Sequence, residues 1–155
     1  MRRHDFLAQA NLNTAARHQR SAVAIDARTA PYATLLLRIG LGALFVLHLY
    51  RKVSITGMSS WWSGFIHAGY PAWTLYYDLT AETIAAVALL LGLYTRWACW
   101  LALPVLLGAS QYMFKLHGFW FSGGGAELPL LWSTGLIVLG CLGDGAFALG
   151  RLRRS

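Results

Sequence analysis

The chain has 155 residues, 57% of them apolar and only 12% charged, with a formal net charge of +7. A soluble domain carries roughly 25% charged residues, and one of this length has no interior large enough to hide so much apolar surface. A soluble globule and a largely disordered chain are both excluded, and two cysteines 42 positions apart exclude a disulfide scaffold. The remaining class is a small integral membrane protein. The basic residues stand mainly in tails and loops around apolar blocks, so they are read as topology signals, and no nucleic-acid partner is expected.

Residues 1–30 form a polar, basic, cytoplasmic tail holding Arg2, Arg3, Arg17, Arg20 and Arg28. It contains no apolar block of signal-peptide length, so the first apolar segment is expected to stay in the membrane. A membrane domain at 31–150 then holds four apolar blocks, predicted as spans at about 33–50, 73–93, 97–116 and 127–148, before a short basic tail at 151–155. Each block approaches the ~20 residues that cross ~30 Å of hydrocarbon. Lipid offers the backbone no hydrogen-bond partner, so the blocks are helices; the short alternating segments of a β-barrel are absent. The predicted fold class is all-α: an integral-membrane four-helix bundle, up-down-up-down.

With Arg38 set aside as intramembrane, nine arginines lie in the tails and the 94–96 turn, against Arg51, Lys52 and Lys115 in the opposite loops. The positive-inside rule then puts both termini in the cytoplasm of a bacterial-type inner membrane. Trp61, Trp62, Tyr70, Trp73, Tyr76 and Tyr77 form an outer aromatic belt, and Tyr94, Trp97 and Trp100 an inner one. In the first outer loop, Trp61 with Phe65 and Trp62 with Ile66 stand at i,i+4, which predicts a short interfacial helix ended by Gly69-Tyr70-Pro71. Pro104 interrupts the third span, and Gly123-Gly124-Gly125 breaks the chain before the fourth.

Ionisable groups within spans are costly and therefore functional candidates. Arg38 and His48 lie on the first span, Asp78 and Glu82 on the second. At about 1.5 Å per residue, Arg38 lies roughly 18 Å and Glu82 roughly 14 Å below the outer boundary, with His48 and Asp78 nearer to it. Arg38 is accordingly expected to pair with Glu82, and His48 with Asp78. Such pairs read either as a structural lock between two helices or as a proton or quinone-headgroup site open to the outer face, where a carboxylate and a histidine accept protons. His117 and Glu127 complete the candidate buried polar site: Arg38, His48, Asp78, Glu82, His117 and Glu127. No catalytic residue and no metal ligand is assigned. His48 and His117 on facing helices are the minimum for haem, but nothing else in the chain supports haem. Cys99 and Cys141 form no C-x-x-C and are read as free buried thiols. The glycine triplet lacks the Lys-Ser/Thr of a phosphate loop.

Several segments together resemble the DoxX-like membrane proteins over about residues 33–147. They are LLLRIGLGALFVLH with Lys52 shortly after, Glu82 in the second span, LLLGLYTRWA into the third, and HGFWFSGGGAELPLLW from His117 through Trp132. The resemblance implies a four-helix inner-membrane protein. It also implies kinship with subunits of quinone-linked oxidoreductases, including thiosulfate:quinone oxidoreductase, and with redox-stress complexes. The family pattern has Glu-Tyr after the glycines, whereas Leu128-Pro129 follow Glu127 here.

The function expected is that of a membrane subunit or accessory of a quinone-linked redox complex. Quinone would be its one cofactor, held without a covalent bond, with membrane lipid around it. A redox protein is the expected partner, because no cofactor motif in the chain accepts electrons from a soluble donor. The alternative is a non-catalytic membrane scaffold or assembly factor. A small transporter ranks third, since four helices without an inverted repeat are few for alternating access.

Overall fold

A computed structural model describes residues 26–152. Helix α1 spans Ala30–Tyr50 and continues without a break as a π-helical segment, Arg51–Gly57. Helix α2 is Met58–His67, α3 Ala72–Leu91, α4 Thr95–His117, α5 Glu127–Leu142 and α6 the single turn Leu149–Leu152. No strand occurs among the described residues. Helices α1, α3 and α4 are long and apolar enough to cross a membrane. Helix α5, with 16 residues, rises about 24 Å at 1.5 Å per residue, short of the ~30 Å of hydrocarbon.

The four long helices close a ring in which α1 packs on α3, α3 on α4, α4 on α5 and α5 back on α1. Phe45, Ala85, Leu89, Cys99, Ala102, Leu136 and Leu139 are fully buried at its centre. Small side chains permit the close approach: Ala81 and Ala85 face inward from α3, and Ala98 and Ala102 from α4. Large apolar side chains such as Leu36, Leu47, Trp97 and Leu131 point outward, as expected where lipid is the solvent.

Two boundaries differ from the sequence expectation. The first helix does not stop at 50, and the fourth stops at Leu142 rather than at 148. Gly57 ends the first run with φ +79° and ψ 139°, a conformation only glycine adopts without strain. The seven π-helical residues that end with it wind the chain more slowly than an α-helix, as π segments at functional sites do. The shorter fourth helix frees residues 143–148 to fold back beneath α1. The predicted loop helix is present as α2, and Cys141 is exposed rather than buried, while Cys99 is buried and both are free. Helix α4 runs through Pro104, and Tyr77 donates to the Leu101 carbonyl at 2.7 Å in the turn before that proline.

Candidate functional site

His48 and Lys52 stand four residues apart on α1 and its π extension; Asp78 and Glu82 stand four apart on α3. In helices such pairs share a face, and these two faces meet. Lys52 Nζ donates to Asp78 Oδ2 at 2.6 Å and to Glu82 Oε2 at 2.7 Å. The ammonium also sits over the Trp61 ring of α2, 4.5 Å from its centroid. His48 Nε2 lies 3.9 Å from the other Glu82 oxygen, Oε1. The Trp132 ring of α5 meets the His48 ring edge-on at 5.7 Å and lies tilted by 47° against Phe45 at 4.9 Å.

Lys52, Asp78 and Glu82 are all buried. A helical side chain leans toward the N-terminus of its own helix, so Lys52 reaches back along α1 into the bundle rather than out of it. With both carboxylates ionised and His48 neutral, one cation faces two anions, a formal charge of −1 in a low-dielectric setting. Two indole rings touch this cluster, and their nitrogens, Trp61 Nε1 and Trp132 Nε1, are buried and have no hydrogen-bond partner among the described residues. The arrangement therefore holds one cation, two anions, a histidine and two donors with spare capacity. Trp61→Phe keeps a π face over Lys52 and Trp61→Leu removes it; a stability difference of about 1–2 kcal/mol between the two variants is expected, read from their thermal unfolding in detergent.

Arg38 belongs to the opposite end of the bundle, which corrects the expected Arg38–Glu82 pair. It is 1% exposed and donates through Nη1 to the Asp144 carbonyl at 2.7 Å and through Nη2 to the Ala146 carbonyl at 3.4 Å. The Asp144 carboxylate supplies the opposing charge and accepts from the Thr95 N–H at 3.3 Å, at the start of α4. Ala146 N donates to the Pro31 carbonyl at 3.0 Å and Gly150 N to the Gly92 carbonyl at 3.1 Å. Arg38 thus clamps the folded-back segment across the ends of α1, α3 and α4. The lean toward the helix N-terminus again explains the placement: α1 begins only eight residues earlier, at Ala30.

His48 meets Glu82 rather than the expected Asp78, whose cation is Lys52. His117 and Glu127 do not join the buried cluster, since both are exposed. Glu127 Oε2 accepts the Phe121 N–H at 3.0 Å, and the Glu127 N–H donates to the Phe119 carbonyl at 3.0 Å. That carboxylate organises the loop between α4 and α5 from the first turn of α5. Gly125 is required there, because a Cβ on it would lie 2.5 Å from the Gly118 carbonyl oxygen. Of the six expected residues, three assemble, with Lys52 as the missing centre. The i,i+4 match of His48 and Lys52 to Asp78 and Glu82 was the available signal, masked by reading Lys52 as a loop charge.

No three His, Cys, Asp or Glu side chains among the described residues come together in a way that would hold a metal ion. The DoxX family model matches residues 33–118, which take in Arg38, His48, Lys52, Asp78, Glu82 and His117. Neither the curated proteins nor the solved structures offer a match to the chain.

Proposed function

This chain belongs to the DoxX family, and from that premise we propose that it is a membrane subunit or accessory of a quinone-linked redox complex. The observation that carries the reading is the unbalanced charge of Lys52, Asp78 and Glu82 beside a half-exposed histidine. Oxidation of a quinol releases protons, and a carboxylate with an adjacent histidine accepts them. A ligand that presents acceptor oxygens would also satisfy the Trp61 and Trp132 indoles. Electrons would pass to or from a partner protein, since the chain itself holds no redox centre motif. The excess of arginine on the Arg38 end and in both tails supports placing that end and both termini in the cytoplasm of a bacterial-type inner membrane, with the Lys52 end outward.

The test is affinity purification from native membranes in mild detergent, followed by quinone-coupled turnover of the recovered complex. Glu82→Gln is expected to lower that turnover by about 100-fold, the lower end of what a positioned proton acceptor contributes. Unchanged turnover removes the site assignment, and recovery without an oxidoreductase removes the redox reading.

A second reading has its own observation. Lys52 satisfies both carboxylates within the bundle at 2.6 and 2.7 Å, so the cluster also works as a helix lock in a non-catalytic scaffold. In that case a variant with Lys52, Asp78 and Glu82 all made neutral keeps function in the complex.

A further inference from the structure

We infer that the cluster takes up a single exchangeable proton, that this proton is carried by Glu82 Oε1, and that His48 is its port. The inference deepens the proton-site reading above and rests on it, but it needs neither quinone nor a partner protein.

An atom-by-atom account of the cluster leads there. An ammonium has three donor hydrogens. Two directions of Lys52 Nζ are taken by Asp78 Oδ2 and Glu82 Oε2, and the indole face of Trp61 occupies a third side. Nothing from Lys52 is left for Glu82 Oε1. That oxygen belongs to a residue only 1% exposed, and His48 Nε2 lies 3.9 Å from it. The gap is longer than a hydrogen bond and short enough for one bridging water or a small side-chain shift to close.

His48 also has the second property a port needs. Its side chain is 32% exposed, against 1% for Glu82, so one edge of the ring meets the surroundings while the other faces the buried carboxylate. Arg51, three residues on, is exposed and marks the level at which water and headgroups are met. Trp132 holds the ring plane from the side, edge-on, and Phe45, fully buried, closes the bundle behind it.

The step balances. His48 gains a proton from the medium at one ring nitrogen and passes the proton of the other to Glu82 Oε1, and the imidazole returns to its neutral form. The cluster moves from a formal charge of −1 to zero, and no bond other than N–H and O–H is made or broken. The charged groups that act on the pair are Lys52 and Arg51 from the α1 side and Asp78 from α3. Helix α5 contributes the uncharged Trp132 at this level. One proton is therefore the capacity at which the buried charge reaches neutrality.

The test is infrared difference spectroscopy of the purified full-length protein in lipid nanodiscs, with no quinone added, after a rapid pH drop. The carbonyl stretch of a protonated carboxylic acid is expected in the wild type and lost in Glu82→Gln; in Asp78→Asn, where Lys52 and Glu82 already balance, it is expected only after a deeper pH drop, at the wild-type frequency. In His48→Phe the band is expected to reach its full amplitude about 100-fold more slowly, the lower end of what a positioned acid–base group supplies. His48→Gln, which keeps a polar side chain of similar reach, is expected to be equally slow, and this second variant guards against a packing defect in the first. A band that survives Glu82→Gln, a wild type without one, or unchanged kinetics in both His48 variants overturns the inference. Failure of the redox reading would show separately, as absent quinone turnover in the recovered complex.

Discussion

Lys52→Met is expected to lower the stability of the bundle by about 3–5 kcal/mol, the cost of removing one partner from a buried ion pair. Lys52 is 3% exposed and is the only cation within hydrogen-bond reach of Asp78 and Glu82 among the described residues. Without it, two carboxylates four residues apart on α3 face each other and an apolar bundle. The reference point is a variant in which all three are neutral: Lys52→Met with Asp78→Asn and Glu82→Gln. Replacing a buried ion set with neutral groups is often close to neutral in stability, so the triple variant is expected to recover most of the loss. Equilibrium unfolding in mixed micelles, run on both, decides the matter. If the single variant matches the wild type, the two carboxylates are not both ionised and the charge accounting above fails.

The fold was largely legible because lipid leaves few alternatives. Apolar blocks of spanning length must be helices, and glycines at 57, 69, 92 and 118 take positive φ at or just beside helix ends, where the sequence breaks its apolar runs. The site was legible only in part. Asp78 and Glu82 are recognisable as charges inside an apolar stretch, and His48 likewise. Lys52 was not, because an apolar window closes at Tyr50 and a following Arg-Lys pair looks like a loop. Helical continuity through the π segment goes with packing against α1 and α2 and with the Lys52 bonds to α3, which leave no trace in hydropathy. The Arg38–Glu82 expectation failed for a related reason. It compared depths of Cα positions and ignored the direction of long side chains, which in α1 carries Arg38 toward Ala30 and Lys52 toward the bundle centre. The carbonyls that hold Arg38 come from residues 144 and 146, in a stretch whose sequence reads as the end of an apolar span.

Arg38→Met is expected to cost about 3 kcal/mol, because hydrogen bonds to a charged donor contribute roughly 1.5–3 kcal/mol each and the longer of the two here is weak. The loss should be local in character. The clamp holds the segment after α5, so limited proteolysis of the variant is expected to cut within residues 143–150 while the four-helix core stays resistant. Gly92→Ala should reproduce the defect from the other side: Gly92 sits at φ +68°, and a Cβ there would meet the Arg38 guanidinium and lie 2.8 Å from the Ala148 Cα. A double-mutant cycle then separates the two ends of the bundle. Lys52 stands fourteen residues beyond Arg38, about 21 Å of helical rise, and Glu82 is bound at the Lys52 end. Sites that far apart without shared partners add within about 0.5 kcal/mol. Arg38→Met with Glu82→Gln is therefore expected to be additive, while Lys52→Met with Glu82→Gln should show a coupling of about 1–3 kcal/mol. Strong coupling between Arg38 and Glu82 would mean that the two ends communicate through the bundle, and it would restore the single-lock reading that the geometry argues against.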